Sequence, residues 1–299
     1  MKKFLLFLIA AILTINYFNS DVQASLVSSG SYRKEQNRIN RIEEKEIRKL
    51  FKLHVDYANK HDLKNLGSLY FDKYINSDGF DKDAYFKSVE DTWSECKDLT
   101  YKTKILSIEI NGNNASVNVE ESALGTVYDK VDTLSVTGEI HAKSTSIYHL
   151  IKINGNWLIS GESMLTDESS LLYGDARFMN IELIAPNQVG AGEIYTTIVK
   201  TEADENTVIV GSLEHDPVIY PSKTPNGPLR TMNKTNALER FIKANTDNIN
   251  EYAVASLAIS KSVSNELNGT KVYMAGVACL MKRVNVIPKN NFVKIEVKK

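Results

Sequence analysis

Residues 105–119 are Ile-Leu-Ser-Ile-Glu-Ile-Asn-Gly-Asn-Asn-Ala-Ser-Val-Asn-Val, and residues 150–159 are Leu-Ile-Lys-Ile-Asn-Gly-Asn-Trp-Leu-Ile. Both stretches place Ile-Asn-Gly-Asn between alternating apolar residues. Asn-Gly favours a tight hairpin turn because both residues tolerate positive φ, so two antiparallel hairpins are predicted. The alternation over 99–110 changes phase between Ile105 and Leu106, which predicts a β-bulge and a bent sheet.

Three helices are predicted before these strands. The first runs from about Arg38 to Lys60, with apolar residues recurring at the helical period on one face. These residues are Ile47, Leu50, Phe51, Val55 and Ala58. Asp62 and Asp81 are placed to cap a short second helix and a third helix that carries an apolar face.

The order of one long helix, two shorter helices and hairpin-forming strands resembles the nuclear transport factor 2-like (NTF2-like) superfamily, with its SnoaL and ketosteroid isomerase-like members. The resemblance covers about residues 39–165, and its best local marker is Lys152-Ile-Asn-Gly-Asn-Trp157-Leu-Ile. It implies an α+β cone over 38–168, in which helices pack on a curved antiparallel sheet around a pocket. This fold serves both enzymes and binding modules, so the resemblance implies no activity.

The composition changes after residue 170, and all six prolines lie from Pro186 onwards. Short strands separated by turn residues predict an all-β sandwich over 176–288. Residues 181–196, Ile-Glu-Leu-Ile-Ala-Pro-Asn-Gln-Val-Gly-Ala-Gly-Glu-Ile-Tyr-Thr, resemble the opening strands of bacterial immunoglobulin-like domains. The expected fold class is therefore an α+β cone followed by an immunoglobulin-like β-sandwich. Residues 236–244 also permit a short helix among these strands.

The N-terminal residues predict export. Lys2 and Lys3 precede a short apolar stretch, and Val22-Gln-Ala24 offers small residues for cleavage, so residues 1–24 are expected to be a signal peptide. Residues 25–37 form a polar lead-in, and residues 289–299 form a basic C-terminal strand or tail. The expected location is the periplasm, the cell surface or the medium. No later apolar run reaches the ~20 residues of a transmembrane helix, so no membrane span is expected after processing.

Net charge and motif content restrict the kinds of ligand and partner that are expected. The formal net charge of -1 leaves no global basic field, so nucleic acid is not an expected partner. His141 and His149 share a strand face, but a metal site needs a further ligand from another element, so neither metal nor cofactor is expected. An exported chain permits a disulfide between Cys96 and Cys279. Two buried free thiols are favoured, because the two cysteines fall on distant elements.

The NTF2-like resemblance implies a set of pocket positions on the first helix, the third helix and the strands. The candidates are His54, Tyr57, Tyr74, Asp78, Trp93, Glu120, His141 and Tyr148. Residues 69–79 resemble the stretch before the third helix in ketosteroid isomerase-like enzymes, which implies that Asp78 is a general base assisted by Tyr57 or His141. The alternatives are a turn role for Asp78, a core hydrogen bond for His54 and solvent exposure for Glu120.

Three functional hypotheses follow. The favoured one is an exported, non-catalytic binding or interaction protein, whose pocket holds an unknown small ligand or protein segment and whose sandwich serves as spacer or adhesion module. The chain contains no Gly-x-Ser-x-Gly, Walker, dinucleotide-binding or HExxH pattern, which favours binding over catalysis. The second is an isomerase, dehydratase or cyclase with Asp78 as base. The third is a structural envelope component that forms homodimers through the NTF2-like sheet.

Overall fold

A computed structural model describes residues 21–131, 134–202, 204, 206–220, 228–232, 237–265 and 269–289. The chain divides into two compact units, one ending at Lys49 and one beginning at Leu50. Most of the expected signal peptide and of the basic segment 289–299 lies outside the described residues. In the first unit, Arg48 forms an ion pair with Glu44 one helical turn earlier, at 2.7 Å.

The described residues contain three α-helices, α1 (Asp21–Asn59), α2 (Leu63–Gly67) and α3 (Lys82–Glu95). Helix α1 begins well before Arg38, so the polar lead-in is helical; no proline interrupts residues 21–59. Both predicted caps are confirmed. Asp62 accepts a hydrogen bond from the Asn65 backbone N–H at 3.1 Å, and Asp81 accepts one from Ala84 at 2.9 Å.

The remaining described elements are a 3-10 helix (Asp175–Phe178) and thirteen strands. The strands are β1 (Tyr70–Asn76), β2 (Thr100–Asn111), β3 (Asn114–Val131), β4 (Leu134–Ile153), β5 (Asn156–Gly174), β6 (Ile181–Ile184), β7 (Gln188–Gly190), β8 (Ile194–Thr201), β9 (Thr207–Pro217), β10 (Arg230–Thr231), β11 (Ala237–Lys243), β12 (Glu251–Asn265) and β13 (Gly269–Ile287). Ten of them form one sheet in the order β10-β9-β12-β13-β5-β4-β3-β2, with β1 beside β5 and β7 beside β13. Strands β11, β8 and β6 form a second sheet.

Both predicted Asn-Gly hairpins are confirmed. Gly112 at the β2–β3 turn has a φ of 60°, and Asn154 and Gly155 at the β4–β5 turn have φ values of 51° and 83°. The β2–β3 register shifts between Ile105 and Ser107, which confirms the bulge predicted from the change of phase.

The predicted fold class, an α+β cone followed by a separate immunoglobulin-like sandwich, is wrong. The described structure is mostly β, and β5 runs on to Gly174 and pairs with β13, so strands from both halves share one sheet. The three-stranded sheet packs on this large sheet through a core that includes Val199, Leu257 and Leu280. The short helix permitted over 236–244 is also wrong, because β11 pairs with β8 there. The domain boundaries near residues 168 and 176 stay predictions.

A buried ion pair joins the turn after β1 to strand β13. Arg283 donates to both carboxylate oxygens of Asp78, at 2.5 and 3.0 Å, and the two side chains are 0% and 7% exposed. Asn250 donates a further hydrogen bond to Asp78 at 2.7 Å, and the Arg283 Nε–H donates to Asn285 at 2.7 Å. The bidentate geometry and the additional bonds compensate the desolvation of both charges.

Glu162 of β5 is a second buried carboxyl, with an exposed fraction of 6%. The Tyr74 hydroxyl donates a hydrogen bond to it at 3.5 Å. Burial, followed by the nearby Glu121 carboxylate, raises the pKa of Glu162 to about 7. The folded chain therefore holds this proton more tightly than the unfolded chain does.

The ion pair predicts strongly coupled mutations. Arg283→Met leaves the Asp78 carboxylate buried without its partner and should lower the free energy of unfolding by about 3–5 kcal/mol. The double variant Asp78→Asn/Arg283→Met should lose less free energy of unfolding than the two single variants lose together, by about 1–3 kcal/mol. Urea unfolding of the four proteins measures this coupling. Lys87→Met, which breaks the exposed pair with Asp91, is the control and should cost far less. Additive losses would contradict the prediction.

Glu162 predicts a stability that depends on pH. Because its folded-state pKa lies above the ordinary value of 4.5, its contribution to stability falls as pH rises from about 4.5 to about 7. The free energy of unfolding of Glu162→Gln, taken relative to wild type, should therefore rise by about 2.5 kcal/mol between pH 5 and pH 8. Other titrating groups contribute equally to both proteins and cancel in this difference. Urea unfolding across this range measures it, with Glu109→Gln on the exposed face of β2 as control. Parallel profiles for wild type and Glu162→Gln would refute it.

Candidate functional site

A cavity of about 180 Å³ lies between the helices and the large sheet, entirely within residues 50–299. We call it the helix–sheet cavity. Its lining comes from α1, α2, α3 and strands β2, β3 and β4. The lining residues are His54, Val55, Ala58, Leu66, Tyr85, Val89, Tyr101, Thr103, Glu121, Ser122, Ala123, Ala142, Lys143, Ser144 and Tyr148.

The cavity exists where short side chains face each other. Ala123 of β3 and Ala142 of β4 are directly opposite in the antiparallel register. Cross-strand partners normally fill the space above a sheet with contacting side chains. Two methyl groups cannot reach the helix layer, where Val55 and Val89 contribute apolar lining, and the volume between them stays open.

Glu121 supplies a carboxyl group to this lining. The Tyr148 hydroxyl donates to its Oε2 at 3.0 Å, and the Thr103 hydroxyl donates to its Oε1 at 2.9 Å. Burial raises the pKa of Glu121, and the two hydroxyl donors oppose that rise. The carboxyl group is thus held in a fixed orientation within a largely apolar wall.

His54 contributes a neutral imidazole. It is 8% exposed, and its Nε2 lies 2.8 Å from the Tyr70 hydroxyl. Burial lowers the pKa of His54 to about 4, so the ring is uncharged at neutral pH. Its Nδ1 has no hydrogen-bond partner among the described residues. His54 is therefore a neutral lining residue whose Nδ1 is buried and unpaired among the described residues.

Aromatic residues surround the helix side of the cavity. Tyr70 packs against Tyr74 and Phe86 with ring centroids 5.1 and 4.9 Å apart. Burial raises the pKa of Tyr85 and Tyr148, which line the cavity, and raises that of Tyr101 to about 12. These phenols are neutral at pH 7 and can donate hydrogen bonds.

Two of the predicted pocket residues, His54 and Tyr148, line the cavity together. Tyr74 and Trp93 are buried outside the lining. Tyr74 contacts Glu162, whereas the Trp93 indole N–H donates to the Tyr101 hydroxyl at 2.9 Å. Trp93 therefore orients a lining residue without contributing to the lining itself.

The other predicted site residues lie elsewhere. Asp78 is bound by Arg283, and Tyr57 is partly exposed on α1 outside the lining. His141 is half-exposed and lies 3.7 Å from Glu139. The three residues proposed for catalysis therefore do not converge.

Glu120 is also outside the lining, with its carboxylate 3.8 Å from Lys143 Nζ. The carboxyl at the cavity belongs to the next residue, Glu121. A signal for this was present in the sequence, because the inward alternation of Val117 and Val119 continues to 121. Thr103, Tyr85 and Tyr101 are further lining residues that were not predicted.

Cys96 is buried, Cys279 is partly buried, and both are free thiols. Within the described ranges, no group of three or more side chains is arranged to hold a metal ion. The described helices include none that is long and apolar enough to cross a membrane.

Comparisons with known proteins give limited matches. No protein-family model and no curated protein matches the chain. Similar solved structures include the Kfla4162 protein from Kribbella flavida, with 11% identity over 42% of this chain and 90% of that one, at a TM-score of 0.36. They also include hexachlorocyclohexane dehydrochlorinase LinA-type3 from Novosphingobium barchaimii LL02. It has 15% identity over 42% of this chain and 88% of that one, at a TM-score of 0.32.

A third similar structure is a ketosteroid isomerase-like protein from Erwinia carotovora atroseptica SCRI1043. It is 13% identical over 40% of this chain and 92% of that one, at a TM-score of 0.29. All three matches cover less than half of this chain at TM-scores below 0.5. The function proposed for the cavity therefore rests on its own geometry.

Proposed function

We propose that the helix–sheet cavity binds a small organic molecule and that the chain is an exported ligand-binding protein. The observation that carries the proposal is the Glu121 carboxyl, held by Tyr148 and Thr103 on an otherwise largely apolar wall. Ligand sites typically combine apolar lining with a few oriented polar groups. Export is supported by the pattern of residues 1–24.

The volume limits the ligand. An engineered cavity of ~150 Å³ in another protein is large enough to hold benzene. The helix–sheet cavity, at about 180 Å³, has room for one six-membered ring with a one- or two-atom substituent. A larger molecule would have to extend beyond this volume.

Filling the cavity should abolish binding without unfolding the chain. Ala123→Phe places a ring where two opposed alanines now leave space, so it should remove the stabilisation that small ring compounds give to wild type. Differential scanning fluorimetry with a library of single-ring fragments measures this. Leu124→Phe is the matched control, because Leu124 is the next residue of β3 and does not line this cavity. Hits that survive Ala123→Phe would place binding elsewhere.

Acid–base catalysis of the isomerase, dehydratase or cyclase type is the second candidate function. One observation favours it: the Glu121 carboxyl contacts the Tyr148 phenol in a cavity that the His54 ring also lines. Burial raises the pKa of Glu121, which makes its carboxylate a stronger base than an exposed one. In this hypothesis Glu121 takes the role that the resemblance assigned to Asp78.

Proton abstraction next to a carbonyl provides a direct test. In D₂O, cyclohexanone should exchange the protons on the carbons next to its carbonyl faster with wild type than with Glu121→Gln. The difference should be about 10²-fold or more if Glu121 is the base. Proton NMR follows the exchange. Glu120→Gln changes the neighbouring carboxyl, which lies outside the lining, and should behave as wild type. Equal exchange for wild type and Glu121→Gln would reject catalysis and leave the binding proposal intact.

The homodimer and the envelope role stay predictions.

A further inference from the structure

We infer that the helix–sheet cavity selects a small organic cation, a protonated amine carried on one apolar ring, over neutral and anionic molecules of the same shape. This inference rests on the proposed binding function and specifies its ligand class. It is carried by the charges and hydrogen-bonding groups that line the cavity.

Glu121 has acceptor capacity left after its internal hydrogen bonds. A carboxylate accepts about four hydrogen bonds, and Tyr148 and Thr103 supply two. An ammonium group has three donors and no acceptor, so it matches the unused positions. A ligand carboxylate would bring only acceptors and a second negative charge to the same place.

The cavity has no internal cation to balance this charge among the described lining residues. Lys143 is the one cationic side chain in the lining, but it is 66% exposed and lies 3.8 Å from Glu120. The buried cation Arg283 does not line the cavity and is bound to Asp78. The field inside the cavity therefore favours a positive ligand.

The neutral groups of the lining agree with this assignment. His54 lines the cavity as an uncharged ring, so it adds no positive charge that would repel a cationic ligand. Tyr85, Tyr101 and Tyr148 bring aromatic rings to the lining. Aromatic rings attract organic cations through their negative faces, and the attraction grows when water is excluded.

Three probes of matched shape test the inference: benzylamine, benzyl alcohol and benzoate. Isothermal titration calorimetry of the full chain at pH 7 should show benzylamine binding at least tenfold more tightly than benzyl alcohol, with benzoate weakest. Glu121→Gln should reduce the ratio between the first two probes to about one, because the amide carries no charge. Glu120→Gln is the matched control and should keep the wild-type ratio.

The outcomes separate the two proposals. Equal binding of the three probes, or tighter binding of benzyl alcohol or benzoate, would overturn the inference and leave the binding function standing. Binding of no probe, together with no hit from the single-ring fragments, would overturn both. Selectivity that disappears in about 0.5 M NaCl would place the charge effect at the exposed protein surface and would also overturn the inference.

Discussion

The antiparallel pairing of β5 with β13 is the interaction on which the rest of the described structure depends. Over Glu168–Gly174 it joins β1–β5 to β9, β12 and β13 in one sheet. The three-stranded sheet then packs on the later strands of that sheet. The same pairing places β13 so that Arg283 reaches the turn after β1. Backbone hydrogen bonds carry this pairing, and they satisfy polar groups that a sandwich edge would leave unpaired.

The buried polar groups follow from that arrangement. Asp78 precedes a helix and follows a strand, a position from which a carboxylate could have reached a pocket. Arg283 and Asn250 bind it instead, and its charge is used to compensate a buried guanidinium. Glu162, one strand away, accepts from Tyr74 and has no cationic partner among the described residues, so burial raises its pKa.

Much of the local structure could be predicted from the sequence. The Asn-Gly hairpins, the bulge at Ile105 and the caps at Asp62 and Asp81 depend on residues near each other in the chain. The candidate site was predicted in part. His54 and Tyr148 were identified, but Glu120 was chosen in place of Glu121, although the alternation of β3 pointed to the latter. A shift of one residue moves a side chain to the opposite face of a strand.

The sequence by itself determined the turns, the caps of α2 and α3, and the alternation that lines β3 with apolar side chains. Tertiary structure alone decided that β5 runs on to Gly174 and pairs with β13, and that Ala237–Lys243 is a strand although its composition suits a helix. It also decided that Asp78 meets Arg283, 205 residues later. The physical reason is that turns and caps are stabilised by neighbouring backbone groups, whereas strand pairing and buried charge pairs depend on partners distant in the chain.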